Sequence, residues 1–181
     1  MITREEIAAS SARNLSDVLA GVMGVDVHGR SAAQADVSIR GSSAEQIVVI
    51  VDGVRMTDVQ SAHYTLDVAL PLATIERIEI LRGIGSALYG PDAVGGVINI
   101  VTRRQQPGEL GVRTGSFGTV GGSAAGGTSA TGFSLSGAAD FDKSDGHRDG
   151  TDYRIGQGRV ALWTPTPGGG GIVRTSLALD S

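Results

Sequence analysis

The sequence predicts an α+β domain followed by antiparallel β-strands of an incomplete transmembrane β-barrel. Before about residue 107, three apolar stretches end in glycine and indicate strands, namely Asp36–Gly41, Ile47–Gly53 and Ile78–Gly83. After that point, Gly-rich stretches alternate apolar and polar residues with a period of two, as barrel strands do. Glycine accounts for 28 of 181 residues and aromatic residues for only 4%, which leaves few large side chains to fill a double-layered core.

Composition excludes several classes of function. The net charge of −4 gives no basic surface for nucleic acid, and the absence of cysteine excludes disulfide frameworks and thiolate sites. No apolar run approaches the ~20 residues of a membrane-spanning helix. The first residues, Met1–Glu6, do not resemble an export signal, so we expect this chain to begin downstream of one.

The first element predicted in the N-terminal half is a short amphipathic helix. Asn14 is a suitable N-cap and Asp17 lies in the first turn, where a negative charge is favourable. The apolar stripe that follows has the i, i+3, i+4, i+7 spacing of a helix and consists of Leu15, Val18, Leu19 and Val22. Gly21 and Gly24 are plausible ends for the helix.

The remaining elements of this half are mostly strands. Short strands flank Gly29–Ala35, and the β-branched run Ile47–Val51 indicates a strand buried on both faces. Arg55–Leu66 lacks periodicity and is predicted to be a loop. Beyond it, we expect a short helix opened by Pro71, a helical turn over Ser86–Tyr89 and a closing strand over Gly95–Thr102.

The C-terminal half contains five candidate strands. In Phe133–Asp142 one face is apolar, with Phe133, Leu135 and Phe141, while the other carries serines and aspartates. The other candidates are Leu110–Ser116, Val120–Thr128, Tyr153–Thr164 and Ile172–Asp180. A soluble β-sandwich also alternates, but here large apolar residues are scarce and Asp and Arg recur opposite the apolar face, which favours a barrel.

Five strands cannot close a transmembrane barrel, which needs at least about eight. An open edge cannot lie in hydrocarbon, because its N–H and C=O groups find no water there. We therefore expect an N-terminal piece of a larger barrel, or a chain that pairs with further strands.

Four ordered motifs resemble the plug domain of TonB-dependent outer-membrane receptors. They are Val37–Gly41, Ile50–Arg55, Ile75–Gly83 and Ser86–Thr102. The resemblance predicts an α+β plug domain over residues 1–105, and residues 106–181 resemble the opening strands of a barrel of about 22 strands. The spacing in the second half of the plug is similar to that of the cobalamin-receptor branch.

The resemblance implies energised uptake of a scarce, bulky ligand (cobalamin, a siderophore or haem) and not catalysis. Its implied partners are the outer membrane of a Gram-negative bacterium, the remaining barrel strands and the TonB complex, with no nucleic acid. The segment that normally contacts TonB is not seen in this sequence, so coupling is an open question for the chain as given. The alternatives are a soluble interaction module built on the plug fold and a small β-rich hydrolase using Asp and His.

Arg40 and Arg82 each follow a predicted buried strand and precede a glycine. The resemblance implies a latch in which such arginines pair with glutamates on the inner wall of the barrel, and we expect those glutamates to lie beyond residue 181. A guanidinium suits this role because it donates directional, charge-assisted hydrogen bonds to carboxylates. The alternative is that each arginine simply ends a strand in solvent.

Two loops are candidates for ligand contact, because the resemblance places ligand against the apical loops of the plug. They are Ser42–Gln46 and Met56–Leu66, and the residues that supply donors, acceptors and an aromatic ring are Ser42, Ser43, Gln60, Ser61, His63 and Tyr64. An ordinary solvated loop is the alternative in each case.

Aspartates crowd the region between the third and fourth candidate strands, namely Asp140, Asp142, Asp145, Asp149 and Asp152. Their oxygens could hold calcium, and the resemblance to the cobalamin branch implies such a loop, although the spacing is not that of an EF-hand. A solvated acidic loop is the alternative, and no other cofactor is expected. Asp52-Gly53 is interpreted as turn chemistry and not as part of a catalytic dyad.

Overall fold

The computed structural model describes residues 1–29, 34–56, 66, 68–104, 107–148, 150–166 and 169–180. Its contacts divide the chain into two compact units. The plug unit comprises Met1–Val68 and Ile75–Thr102, and the wall unit comprises Ala69–Thr74 and Arg103–Ser181. The grouping of Ala69–Thr74 with the later strands is a feature that no sequence pattern indicated.

The plug unit has the mixed α+β composition that its sequence predicts. Its strands are β1 (Ile2–Thr3), β2 (Val25–Gly29), β3 (Ala35–Ile39), β4 (Ile47–Val51), β5 (Val54–Met56), β6 (Ile75–Arg82) and β7 (Gly96–Thr102). Its helices are α1 (Arg4–Ala9), α2 (Leu15–Ala20) and α3 (Ser86–Tyr89), with a 3-10 turn at Ala44–Gln46. A five-stranded sheet has the order β1-β6-β7-β4-β5, and β2 pairs separately with β3.

Both N-terminal helices begin after a residue whose side chain caps the first turn. The Asp17 N–H donates to Asn14 Oδ1 at 2.8 Å, which confirms the predicted start of α2. Helix α1 was not predicted, although Thr3 and Glu6 form a capping box there: Glu6 N donates to Thr3 Oγ1 at 3.3 Å, and Thr3 N to Glu6 Oε2 at 2.7 Å. The spacing of Thr3 and Glu6 was the signal that would have revealed this helix.

The core of the plug unit lies around β4, which is buried along its whole length as its continuous β-branched run predicts. It pairs in parallel with β7, where Ile98 and Ile100 are fully buried. The sequence prediction of a loop from Arg55 to Leu66 is wrong at its start, because Val54–Met56 forms β5. Asp52 (φ 47°) and Gly53 (φ 83°) both have left-handed backbone, so a two-residue turn reverses the chain and the next residues pair at once.

The wall unit contains the five predicted strands. They are β8 (Glu109–Thr114), β9 (Val120–Ala130), β10 (Phe133–Ser144), β11 (Tyr153–Thr166) and β12 (Gly169–Asp180). Each pairs antiparallel with its sequence neighbours in the order β12-β11-β10-β9-β8. None of the helices among the described residues has the length and hydropathy needed to cross a membrane.

Burial in the wall sheet is the reverse of that in a water-soluble sheet. On the apolar face Leu110 is 90% exposed and Val112 84%, and Phe141 on β10 is also exposed. On the opposite face of β10, by contrast, Asp142 and Ser144 are buried. A sheet that turns its apolar residues outward and its polar residues inward matches the alternation of a transmembrane barrel and not that of a sandwich core.

Candidate functional site

Strand register brings several predicted site residues to one end of the plug sheet. Gly96 on β7 lies opposite both Ile47 at the start of β4 and Arg82 at the end of β6. The Gly95 N–H donates to the Gln46 carbonyl at 2.8 Å, which joins Ser42–Gln46 to the chain that enters β7. We call this end of the sheet, with Ser42–Gln46 and Gly83–Gly95, the loop end.

Close packing at the loop end requires its two adjacent glycines, Gly95 and Gly96. A Cβ on Gly95 would stand 2.5 Å from Ser42 Cβ, and a Cβ on Gly96 would stand 2.6 Å from the Leu81 carbonyl oxygen. Ser42 also accepts the Ile39 N–H at 3.2 Å, so its hydroxyl supports the loop. Ser42 and Ser43 are both predicted to meet a ligand, and Ser43 is the more exposed of the two.

Arg40 and Arg82 both lie at the loop end and are exposed. Arg40 has a left-handed backbone (φ 52°), and its N–H donates to the Gly24 carbonyl at 3.1 Å. This bond fixes the start of the Arg40–Gly41 turn. The structure gives neither guanidinium an ion pair within the residues it describes, and the latch role stays a prediction.

The second predicted ligand loop is described only at its edges. Gln60, Ser61, His63 and Tyr64 lie outside the described residues. Strand β5 leads into this loop, and its pairing of Met56 with Val49 and of Val54 with Val51 shows that it runs back toward the loop end.

The turn after α3 also lies at the loop end, and the sequence did not predict it as part of a site. Arg55 Nη1 donates to Asp92 Oδ2 at 2.7 Å, and Arg55 Nη2 donates to the Tyr89 carbonyl at 2.5 Å. These bonds tie β5 to the turn after α3. Leu88 within α3 (82% exposed) and Ile84 just before it (80%) present apolar surface nearby in the chain. Because Arg55 and Asp92 are 37 residues apart, no local pattern could have revealed the pair.

The opposite end of the sheet carries Asp52, and each oxygen of its carboxylate accepts a hydrogen bond from Thr102. Thr102 N donates to Oδ1 at 2.6 Å and Thr102 Oγ1 donates to Oδ2 at 2.5 Å. Asp52 thereby joins the β4–β5 turn to the last residue of β7. This agrees with its interpretation as a structural turn residue.

The predicted acidic loop is in part a strand. Asp140 and Asp142 lie within β10 and not in the loop, because β10 continues to Ser144 by pairing with β11. Asp145 lies 3.6 Å from Lys143 Nζ, Asp152 lines a polar loop depression with His147, and Asp149 lies outside the described residues. Among the described residues no three acidic or histidine side chains converge as a metal site. The calcium site stays a prediction.

The two strand aspartates belong to a polar layer on the buried face of the wall sheet. Asp142 lies 3.8 Å from Arg113 Nη2 and accepts the Tyr153 hydroxyl at 3.1 Å. Gly121 lies between Arg113 and Asp142 in the register, and a Cβ there would collide with the Asp142 carboxylate. A strand of small residues therefore makes room for an ion pair that spans three strands.

Fold and burial define a plug domain joined to the first wall strands of an outward-apolar barrel. The sequence model of the TonB-dependent receptor plug domain matches residues 1–97. The chain belongs to this family. It is 39% identical over 142 residues to the vitamin B12 transporter BtuB of Photobacterium profundum, covering 74% of this chain and 23% of that relative.

Solved receptors share the fold of both units. The pyoverdine outer-membrane receptor FpvA of Pseudomonas aeruginosa PAO1 has a TM-score of 0.75 at 19% identity, covering 98% of this chain and 26% of that chain. The siderophore receptor PirA of Acinetobacter baumannii has a TM-score of 0.72 at 21% identity, covering 99% of this chain and 31% of that chain. The chain spans less than a third of each relative.

Proposed function

We propose that this chain supplies the plug and the first wall strands of an outer-membrane receptor that takes up a scarce, bulky ligand, with cobalamin as the first candidate. The single observation that carries the proposal is the 39% identity to a vitamin B12 transporter, over 74% of this chain. Siderophores are the second candidate class, because the structural relatives include pyoverdine and siderophore receptors. Haem is the third, from the sequence resemblance.

In this proposal the ligand rests on the loop end of the plug sheet. Exposed Ser43 offers a hydroxyl there, and Ile84 and Leu88 offer apolar surface. A large ligand with both polar and apolar faces suits such a surface. Arg40 and Arg82 lie at the same end, where a wall carboxylate could hold them until the plug rearranges.

The exposed apolar face of the wall sheet supports an outer-membrane location. Residues such as Leu110 and Val112 would gain from contact with acyl chains and not from contact with water. The same face argues against a soluble interaction module. Energy coupling through the TonB complex is part of the proposal, since the family is defined by it.

The test uses the complete polypeptide encoded by the gene, purified in detergent and titrated with cyanocobalamin, a ferric siderophore and haemin in parallel. We expect saturable binding of one of these, cobalamin first. Uptake of that ligand by cells lacking their own receptor should stop when a protonophore is added, while binding continues.

A pair of tryptophan variants tests the location of the ligand. Ser43→Trp should weaken binding about tenfold or more, because a large ring would fill the loop end. Val54→Trp, which is exposed where β5 leaves the Asp52-Gly53 turn at the other end of the sheet, is the matched control and should bind normally. Saturable binding of none of the three ligands would overturn the proposal, and equal effects of both variants would overturn the location.

A further inference from the structure

One short segment of the plug sequence is structurally part of the wall. Ala69–Thr74 lies between two stretches of the plug unit in the chain, yet it groups with the wall strands. Leu70 and Pro71 are fully buried, and Leu72–Thr74 forms a 3-10 turn that lies against β10. We call Ala69–Thr74, together with Arg103, the wall anchor.

A hydrogen-bond relay holds the first part of the wall anchor. The Leu70 N–H donates to Gln157 Oε1 on β11 at 3.0 Å, and Gln157 Nε2 donates to Asp140 Oδ2 on β10 at 3.1 Å. Both ends of the Gln157 amide are thus engaged, which fixes its orientation. Because the final acceptor is a carboxylate, it polarises the amide and strengthens the bond to Leu70.

Arg103 forms hydrogen bonds with the second part of the wall anchor, Ala73 and Thr74. Its N–H donates to the Thr74 carbonyl at 2.9 Å, and its Nη1 lies 3.5 Å from the Ala73 carbonyl and 2.8 Å from Glu109 Oε1 on β8. The Arg103 side chain is only 15% exposed. The stretch Ile75–Thr102 therefore starts and finishes at one hydrogen-bonded pair, Thr74 and Arg103.

We propose that the wall anchor is a fixed attachment point, which unfolds together with the wall sheet and not with the plug unit. Gln157 is the residue that positions it. The plug unit can then open while Ala69–Thr74 stays on β10 and β11. Each strand of the wall sheet is hydrogen-bonded to its sequence neighbours. Because Gln157 joins the anchor to β11, the anchor should open only when that sheet opens. This attachment of the plug does not depend on which ligand the protein binds.

Native-state hydrogen exchange tests this attachment on the complete polypeptide in detergent. Mass spectrometry at rising denaturant concentration gives the order in which the segments open. We expect peptides covering 69–74 to open together with those of β10 and β11, and after those of 75–102. This comparison needs no variant. Opening of 69–74 together with 75–102 would overturn the proposal.

Two variants test the positioning role. Gln157→Leu removes both bonds of the relay, and exchange of the Leu70 amide should rise about tenfold or more while the β10 peptides are unchanged. Ser136→Ala, a buried polar residue on the same face of β10, is the matched control and should leave the Leu70 amide unchanged. An unchanged Leu70 amide in Gln157→Leu would show that Gln157 does not hold the anchor.

Discussion

The plug unit and the wall unit are both built around five-stranded sheets, yet they bury opposite kinds of side chain. At the centre of the plug sheet the β-branched residues of β4 and β7 are buried. The wall sheet exposes Leu110, Val112 and Phe141 and buries serine, aspartate and arginine. The difference teaches that alternation alone does not say which face is inside, because the surroundings of the sheet, water or lipid, decide it.

The largest effect is expected from truncating a buried side chain of the plug unit, and this change tests whether the two units open separately. Ile98→Ala removes a fully buried side chain from β7 and should lower the free energy of opening of the plug unit by about 2–5 kcal/mol, since the cavity adds to the lost transfer energy. Hydrogen exchange of plug amides in the complete polypeptide measures this. Val112→Ala, on the exposed face of β8, should leave those amides unaffected; equal effects would mean that the two units open as one.

The second prediction tests the outward face of the wall. Ala139 is exposed near the middle of β10, so Ala139→Arg should cost about 2–4 kcal/mol of folding free energy in a bilayer. Chemical unfolding from lipid vesicles measures it. Ala139→Leu enlarges the same position without charge and should be tolerated, whereas a similar loss in both variants would identify this face as a packed protein interface.

The third prediction concerns the bond that closes the plug sheet at Asp52. Asp52→Ala loses both bonds from Thr102 and also places alanine at a left-handed φ, so the plug unit should lose about 2–4 kcal/mol of stability. Asp52→Asn keeps one acceptor and tolerates that backbone, and should lose clearly less. Denaturant unfolding of the plug unit ranks the variants, and an Asn variant as weak as the Ala variant would contradict this account.

The smallest expected effect is a dependence of plug stability on pH, which comes from Glu79 on β6. Arg77 Nε donates to Glu79 Oε1 at 2.7 Å and Asn99 Nδ2 donates to Glu79 Oε2 at 2.9 Å, and these bonds lower the pKa of Glu79 from its ordinary value. A carboxylate with a lowered pKa stabilises the fold above its ordinary pKa, and that contribution is lost as pH falls through the folded value.

Because Glu79 is 41% exposed, we expect a loss of less than about 1 kcal/mol on acidification from pH 7 to below 4. Glu79→Gln should remove this part of the pH dependence of plug unfolding, while Glu45→Gln, in an exposed turn, should keep it. An unchanged pH profile in Glu79→Gln would show that the two hydrogen bonds do not favour the charged form.

Local patterns were enough to predict much of the fold. The cap at Asn14, the buried run of β4 and the five wall strands each follow from neighbouring residues. The candidate site was predicted less completely. Register places Arg82 at one end of the plug sheet, and the contacts of Gly95 with Gln46 and Ser42 bring the loop after Arg40 to the same end. The Arg55–Asp92 pair there joins residues 37 positions apart and left no local signal.

The sequence by itself determined which residues alternate, where turns fall and which family motifs occur, because capping, turn geometry and strand periodicity act over a few residues. Only the tertiary structure decided that Ala69–Thr74 belongs to the wall, since Leu70 and Gln157 are 87 residues apart. It also decided that Asp52 secures Thr102, across 50 residues. Hydrogen bonds of this kind depend on how strands are brought together in space, which no short-range pattern encodes.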